Sequence, residues 1–427
     1  MKQRLHYGWI ICGLCVMTMF CTMGLTSNTF SIYINAFIEE NGFTQAQGAS
    51  LSTIRCIASL IGTMITGIYY EKLNMKKGLS LSVLMIALSF FLYSMAHTLS
   101  VFYIGAFIAG LGYGLGTMVP VTMMIHRWFA EKQGFALGFA SAGSGLATII
   151  CPPLMTAGLR AGGVAFAASV EGALILAYAV IMFFLLKNHP EEKGLQPYGL
   201  VRGISDCNQT PSEQLTDTEN NEPAPPSIPD KGKSSLSRAG DILLLLALFL
   251  LGATTTPSSE SLAVHLSTGD VSPELTAAAV SVYGLFMTGG KFIYGFLVDV
   301  IGSFKTNYIF TAVLVSGFFA GYFADGKHII ITFLFVACMG FGFAMTTVGI
   351  SVWALHFYSG ARATAAVRHF WIATLTGSLT FTTMPGIFAD IWGSYRLYYA
   401  LSGFLFIVVM SIIQGMYIKQ KKQEVIL

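Results

Sequence analysis

Charge is what this sequence has least of. Asp, Glu, Lys and Arg make up 11% of its 427 residues, against about a quarter in a soluble domain. That is too little polar surface to coat a water-facing globule. Cysteine is sparse and odd in number, seven in all, and every one except Cys207 sits in an apolar stretch, which excludes a disulfide framework. The one C-x-x-C, Cys12 to Cys15, lies inside the first apolar run with no second pair, and reads as packing rather than a metal or redox motif. No P-loop lysine, hydrolase elbow or metal-ligand cluster occurs, so the sequence proposes no enzyme, no metal and no cofactor. A net charge of +3 gives no reason to invoke nucleic acid.

What the chain has in abundance is apolar length. Hydrophobic residues reach 54% and the mean hydropathy is +0.66. A membrane span needs about 20 apolar residues. Such segments fall near 9–38, 50–70, 79–96, 101–125, 134–158 and 164–187, and again near 241–264, 276–298, 306–324, 328–355, 363–389 and 395–418. The first run is too long for a signal peptide and is expected to remain as a helix. Residues 188–240, with His189-Pro190-Glu191-Glu192 and Glu222-Pro223-Ala224-Pro225-Pro226, are polar and proline-rich. They predict a disordered linker between two halves, 1–187 and 241–427.

The halves repeat. The second segment ends in Gly67-Ile68-Tyr69-Tyr70-Glu71-Lys72 and the eighth in Gly295-Phe296-Leu297-Val298-Asp299-Val300. Gly67 matches Gly295 and Glu71 matches Asp299 at one offset, 228. The expectation is an all-α membrane protein, twelve helices in two pseudo-symmetric six-helix bundles. Basic residues orient it. With both termini in the cytoplasm, Lys72, Lys76, Lys77, Arg127, Lys132, Lys187, Lys305 and Arg362 all fall inside, while outer loops hold Arg160, Lys327 and Arg396. The protein is expected to be multi-pass in a plasma or bacterial inner membrane.

At these glycine–acid motifs the chain resembles the major facilitator superfamily, whose signature reads roughly G-x-L-A-D-R-x-G-R-K. Glu71 stands for its Asp, Lys72 for its Arg and Asn74 for its second Gly. The later copy keeps Asp299 and Gly302 without the following Arg. His6-Tyr7-Gly8-Trp9, and Arg127-Trp128-Phe129-Ala130-Glu131-Lys132-Gln133-Gly134 followed by Ala142-Gly143-Ser144-Gly145, are similar to the monocarboxylate porter and oxalate–formate antiporter branches. The resemblance implies a carrier that alternates access around a central site. It also implies that the motif acids stabilise the outward-open form, and the internal pseudosymmetry suggests Glu71 near the start of the eleventh helix and Asp299 near the start of the fifth. Gly67, Glu71, Lys72, Gly295 and Asp299 are therefore gating or structural residues.

Five charges lie within apolar segments: Arg55, Glu171, Glu260, Lys291 and Arg368. A charge at mid-membrane is costly and faces a wet cavity, a partner or a substrate. In the oxalate–formate branch, basic residues of the eighth and eleventh helices hold the anion, which implies that role for Lys291 and Arg368. Met287 stands where the monocarboxylate branch carries an acid. Asn28, Tyr33 and Trp371 are candidate cavity residues. Arg55, near the outer end of its helix, reads as a rim or gate residue. His369, Glu171 and Glu260 are candidates for proton coupling; either acid could instead pair with Lys291. The reading is a secondary transporter of a small mono- or dicarboxylate, expected to be monomeric, coupled to a proton or to an exchanged anion. An amphiphile efflux carrier of the same fold and a non-transporting sensor remain open beside it.

Overall fold

The computed structural model describes residues 6–200, 238–269, 271–325 and 327–426. Among these, ten helices are long and apolar enough to cross a membrane by length and composition. Two more crossings are concealed in that number. Gln133–Leu185 runs for 53 residues, about 80 Å at 1.5 Å per residue, far beyond a hydrocarbon core of ~30 Å. It breaks at Gly162 and Gly163, the latter at φ +67. Val164 N–H, freed by the break, donates to Glu40 Oε1 at 2.8 Å, so a carboxylate caps the second piece. The other is Gly360–Phe381, whose Arg362, Arg368 and His369 lower its hydropathy.

Counted this way, the described residues form twelve rods. They are α1 (Tyr7–Met19, Phe20–Asn28 and Phe30–Asn41), α2 (Gln45–Lys72), α3 (Met75–Ser94), α4 (Leu99–Gly116 and Met118–Trp128), α5 (133–161) and α6 (164–185). The second half supplies α7 (Arg238–Glu260 and Leu262–Thr268), α8 (Pro273–Ile301), α9 (Ser303–Phe323), α10 (Ile329–Ala344, Met345–Gly349 and Ile350–Phe357), α11 (Gly360–Phe381) and α12 (Arg396–Ile426). A short helix, Met384–Trp392, joins the last two. Large apolar side chains such as Leu174, Phe184, Ile330 and Phe404 stand exposed, as suits rods whose outer surface meets lipid.

Four rods are broken, at corresponding places in the two halves. Thr18, Thr22 and Thr26 of α1 donate their hydroxyls to carbonyls four residues back. Such bonds loosen and bend a helix, and the stretch Phe20–Asn28 is π-helical. In α7, Thr255 and Ser258 do the same to Leu251 and Thr254, Pro257 removes a backbone donor, and the rod breaks after Glu260. In α4 the break is at Thr117, with ψ −138, and in α10 a π-stretch starts at Met345. Thr117 and Met345 are 228 residues apart, the offset already set by the glycine–acid motifs.

Residues 188–200, expected to open the linker, are instead folded onto the first half. Asn188 Oδ1 accepts from Lys76 N–H at 2.8 Å. Tyr198 exchanges backbone bonds with Trp128, Ala130 and Glu131, and its ring packs edge-on against His6 and Trp9. The polar run held too much aromatic surface at Tyr198 to stay off the bundle. The rest of the expected linker, to residue 237, lies outside the described residues. His6, Trp9 and Tyr198 lie at one end of the bundle, and Tyr417, stacked on His356 4.3 Å away, marks the same end of the second half. We call this the terminal face and its opposite the far face.

On the far face, Asp325 ties the α9–α10 turn to α12. Its Oδ1 accepts from His328 N–H and its Oδ2 from Arg396 Nη2 at 3.1 Å. The His328 hydrogen bond holds the carboxyl below its ordinary value of 3.8. A depressed carboxylate contributes stability above the unfolded-state pKa and loses it as pH falls through the folded one. Wild type should therefore melt above Asp325→Asn at neutral pH, and the gap should close as pH drops below 3.8. A gap that stays constant with pH, in thermal melts of detergent-solubilised protein, would contradict this.

Candidate functional site

The halves touch along seams, and the tightest joins α5 to α8. A Cβ on Gly138 would run into Lys291 O, and one on Gly295 into Gly134 O. Two backbones are in contact here, which only glycine permits. Just beyond, Asp299 spans the seam: Oδ1 accepts from Gly134 N–H at 2.9 Å and Oδ2 from Phe135 N–H at 2.7 Å. These are free donors at the start of α5, where the helix dipole also favours an anion. Deeper in, Thr122 Oγ1 of α4 donates to Ser351 Oγ of α10 at 2.8 Å. All of these contacts lie toward the terminal face, which is closed. Two clefts lie toward the far face. One, of about 770 Å³, lies between Thr148–Pro153 of α5 and Thr276–Gly284 of α8; another, of about 510 Å³, lies beside Glu260.

Lys291 lies inside the closed seam with no exposed surface. Its Nζ donates to Ser144 Oγ at 2.7 Å and to Ser141 O at 3.4 Å, both on α5. Asn28, beside the α1 break, donates to Ser144 O at 3.2 Å and Thr148 Oγ1 at 2.9 Å. Asn28, Ser144 and Lys291 thus form one node joining α1, α5 and α8. Neither Glu171 nor Glu260 pairs with Lys291. Among the described residues, none of the five intramembrane charges forms an ion pair; the pairs present all involve Asp325.

Arg368 is on a different seam, between α2 and α11. Its guanidinium lies where a Cβ of Gly67 would be. The two candidate basic residues are therefore not brought together. His369 beside it is exposed. Trp371 is buried, with its indole N–H unbonded. Tyr33 has no exposed surface and packs on Phe37 and Phe90 within the first half. Its hydroxyl faces Glu171 without forming a well-shaped hydrogen bond. Arg55 is 8% exposed, its guanidinium 5.2 Å from the Phe30 ring. Glu71 and Lys72 are exposed. Unlike Asp299, Glu71 makes no hydrogen bond among the described residues, so the repeat is asymmetric: one acid grips a helix start and the other does not.

Ser144, Ser141, Thr148, Thr122 and Ser351 were not singled out as site residues from sequence. The available signal was the run Ser141-Ala142-Gly143-Ser144-Gly145. Hydroxyls set among small residues are expected where two helices meet closely in a membrane.

A profile of the Major Facilitator Superfamily matches residues 14–379. This chain belongs to that superfamily. It is a multi-pass membrane protein of a transporter family. It is 23% identical over 306 residues to the oxalate:formate antiporter of Oxalobacter formigenes, covering 70% of this chain and 65% of that one. To monocarboxylate transporter 12 of Rattus norvegicus it is 26% identical over 150 residues, 35% of this chain and 30% of the relative. The match therefore spans just under two thirds of the first relative and under a third of the second. Among solved structures, the transporter FucP in its outward conformation superposes with a TM-score of 0.70 at 16% identity, over 96% of this chain and 99% of FucP. The proton:xylose symporter XylE gives 0.73 at 13%, over 96% and 95%.

The seam geometry separates two glycines of this chain. At Gly138 an added methyl meets backbone, which cannot move aside, so Gly138→Ala should cost about 1–3 kcal/mol. At Gly67 it meets the end of a flexible arginine, and Gly67→Ala should cost within about 0.5 kcal/mol. Thermal melts that rank the two the other way would refute this assignment. Loss of the Asp299 cap should open the terminal face. In Asp299→Asn, spin labels at Glu131 and Lys305 should gain a longer distance, because charge-assisted bonds worth about 1–3 kcal/mol are weakened. An unchanged distance distribution would count against the cap as a lock.

Proposed function

We propose that this transporter moves a small organic anion, a mono- or dicarboxylate, by alternating access. The observation that carries the reading is Lys291. Its ammonium is wholly buried, has no carboxylate partner, and rests on two neutral oxygens of the opposite half. Burying a cation is costly unless a counter-charge comes with it. Neutral oxygens offset part of that cost, and an anion would offset more. When the α5–α8 seam parts, Lys291 leaves Ser144 and the opened space holds an unpaired ammonium with Asn28 nearby. A substrate carboxylate is the partner that fits, and its charge-assisted bond is stronger than the one to Ser144. Because the ligand interacts differently with the parted and closed seam, it shifts the balance between them.

The two relatives named above, an oxalate:formate antiporter and a monocarboxylate transporter, support the anionic class. Arg368 on the second seam serves as a further basic contact, reached when α2 and α11 separate. Proton symport and anion exchange both fit this arrangement. The excess of lysine and arginine in the terminal-face loops supports a terminal face on the cytoplasmic side of a cell membrane.

The test is Lys291→Gln in proteoliposomes, with labelled formate, oxalate and lactate as probes. Flux of whichever probe the wild type carries should fall at least a hundredfold. The melting temperature should stay level or rise, since an uncompensated charge has left the interior. Retained flux would sink the anion site. Lost flux together with a much lower melting temperature would show Lys291 to be a strut instead.

A further inference from the structure

Arg55 and Glu260 are opposite charges on opposite halves, and neither is used by the α5–α8 seam. Rod α11 serves as a ruler for their depth. Gly67 of α2 lies against Arg368, and Arg55 is 12 residues earlier on α2, about 18 Å toward the far face. On α11 that rise leads from 368 to about 380. On the other flank of α11, Gly252 of α7 meets the backbone of Thr374, and Gly377 meets that of Phe249. Glu260 is eight residues beyond Gly252 and eleven beyond Phe249, about 12 and 17 Å, which projects to about 382–388, just past the end of α11 at Phe381. Independently, Glu260 lines one cleft with Thr382 and Thr383. The two charges therefore lie within about two helical turns of the same depth, on either side of the far end of α11.

Their surroundings leave both available. Arg55 Nε is buried with no hydrogen-bond partner, and its Nη2 has only a 3.9 Å contact to Cys56 Sγ. Glu260 is exposed to the cleft and ends the first piece of α7, at the break. Among the described residues they form no ion pair while the terminal face is closed. Asp390 lines the same cleft as Glu260 and adds no positive partner.

We propose that Arg55 and Glu260 are the far-side latch of this transporter. When the halves rock and the terminal seam parts, guanidinium and carboxylate meet and hold the far face shut. The latch is the counterpart of Asp299 on the helix start of α5. It differs in kind, joining two side chains where the terminal latch joins a side chain to backbone.

The test needs no substrate, so its failure is distinct from failure of the anion site. Spin labels are placed at Ala46 and Ser267, both exposed on the far face, in full-length protein whose other cysteines have been replaced. Double electron–electron resonance should give a long and a short distance population in the otherwise wild-type protein. Arg55→Gln and Glu260→Gln should each cut the short population about fivefold relative to the long one. The exchange Arg55→Glu with Glu260→Arg should restore it, while either reversal alone should not. Arg55 also packs on Phe30, so Arg55→Gln could fail to insert. Arg55→Lys and Glu260→Gln then carry the test: the lysine keeps the short population and the glutamine loses it. A short population unmoved by neutralising Glu260 would overturn the latch. So would its absence from the otherwise wild-type protein, or an exchange no better than the single reversals; that last result is what a ligand bridging the two charges would give.

Discussion

Two helix backbones in direct contact are the constraint on which the rest of this structure depends. Where α5 meets α8, the carbonyls of Gly134 and Lys291 occupy the space that side chains on Gly295 and Gly138 would take. So close an approach puts the first amides of α5 within reach of Asp299 and the hydroxyl of Ser144 within reach of Lys291. A seam wider by one methyl would leave Asp299 short of its donors and Lys291 with neither partner nor room. The terminal closure, the burial of the lysine and the far-side clefts all follow from that contact.

The fold was legible because the membrane imposes coarse and repeated requirements. Apolar runs of span length, the matched glycine–acid motifs and the placement of basic loops each pointed to two six-helix halves. Even the breaks had a visible cause. Thr254-Thr255-Thr256-Pro257-Ser258-Ser259-Glu260 puts hydroxyls and a proline where a helix would otherwise run on. The start of α6 was legible as well, since the apolar run resumes at 164 just past Gly162 and Gly163, where the rod begins. The position of Glu40, which caps that start, is visible only in three dimensions.

The site was less legible, and the reason is rotational. Sequence spacing gives the depth of a residue along a rod but says little about which neighbour it faces. Lys291 was placed at a sensible depth, yet it points at α5 rather than into a cavity. Arg368 faces Gly67 on another seam. Tyr33 lies on a rod with polar neighbours, Asn28 and Asn35, yet its ring joins the aromatic packing of Phe37 and Phe90. Glu71 and Asp299 were equivalent in the repeat but differ in partner, because the seam opposite Glu71 is filled by an arginine side chain and not by apposed glycines. Ser144 lacked a signal of its own. A serine among small residues gains meaning only once the helix it faces is known.

The far ends of the two broken rods carry a mechanical consequence. The outer piece of α1 is bonded to α6 through Glu40 and Val164. The outer piece of α7 is bonded to α9, where the ring nitrogen of His265 meets Gly321 O at 2.8 Å. Each loose end is tied to its own half. Neither piece is free to move as an independent flap, so the protein behaves as two stiff blocks with the slack confined to the surfaces between them. For such a body, opening on one side and closing on the other are a single displacement. Probes at the two faces should relax with one shared time constant, as the two ends of a seesaw do.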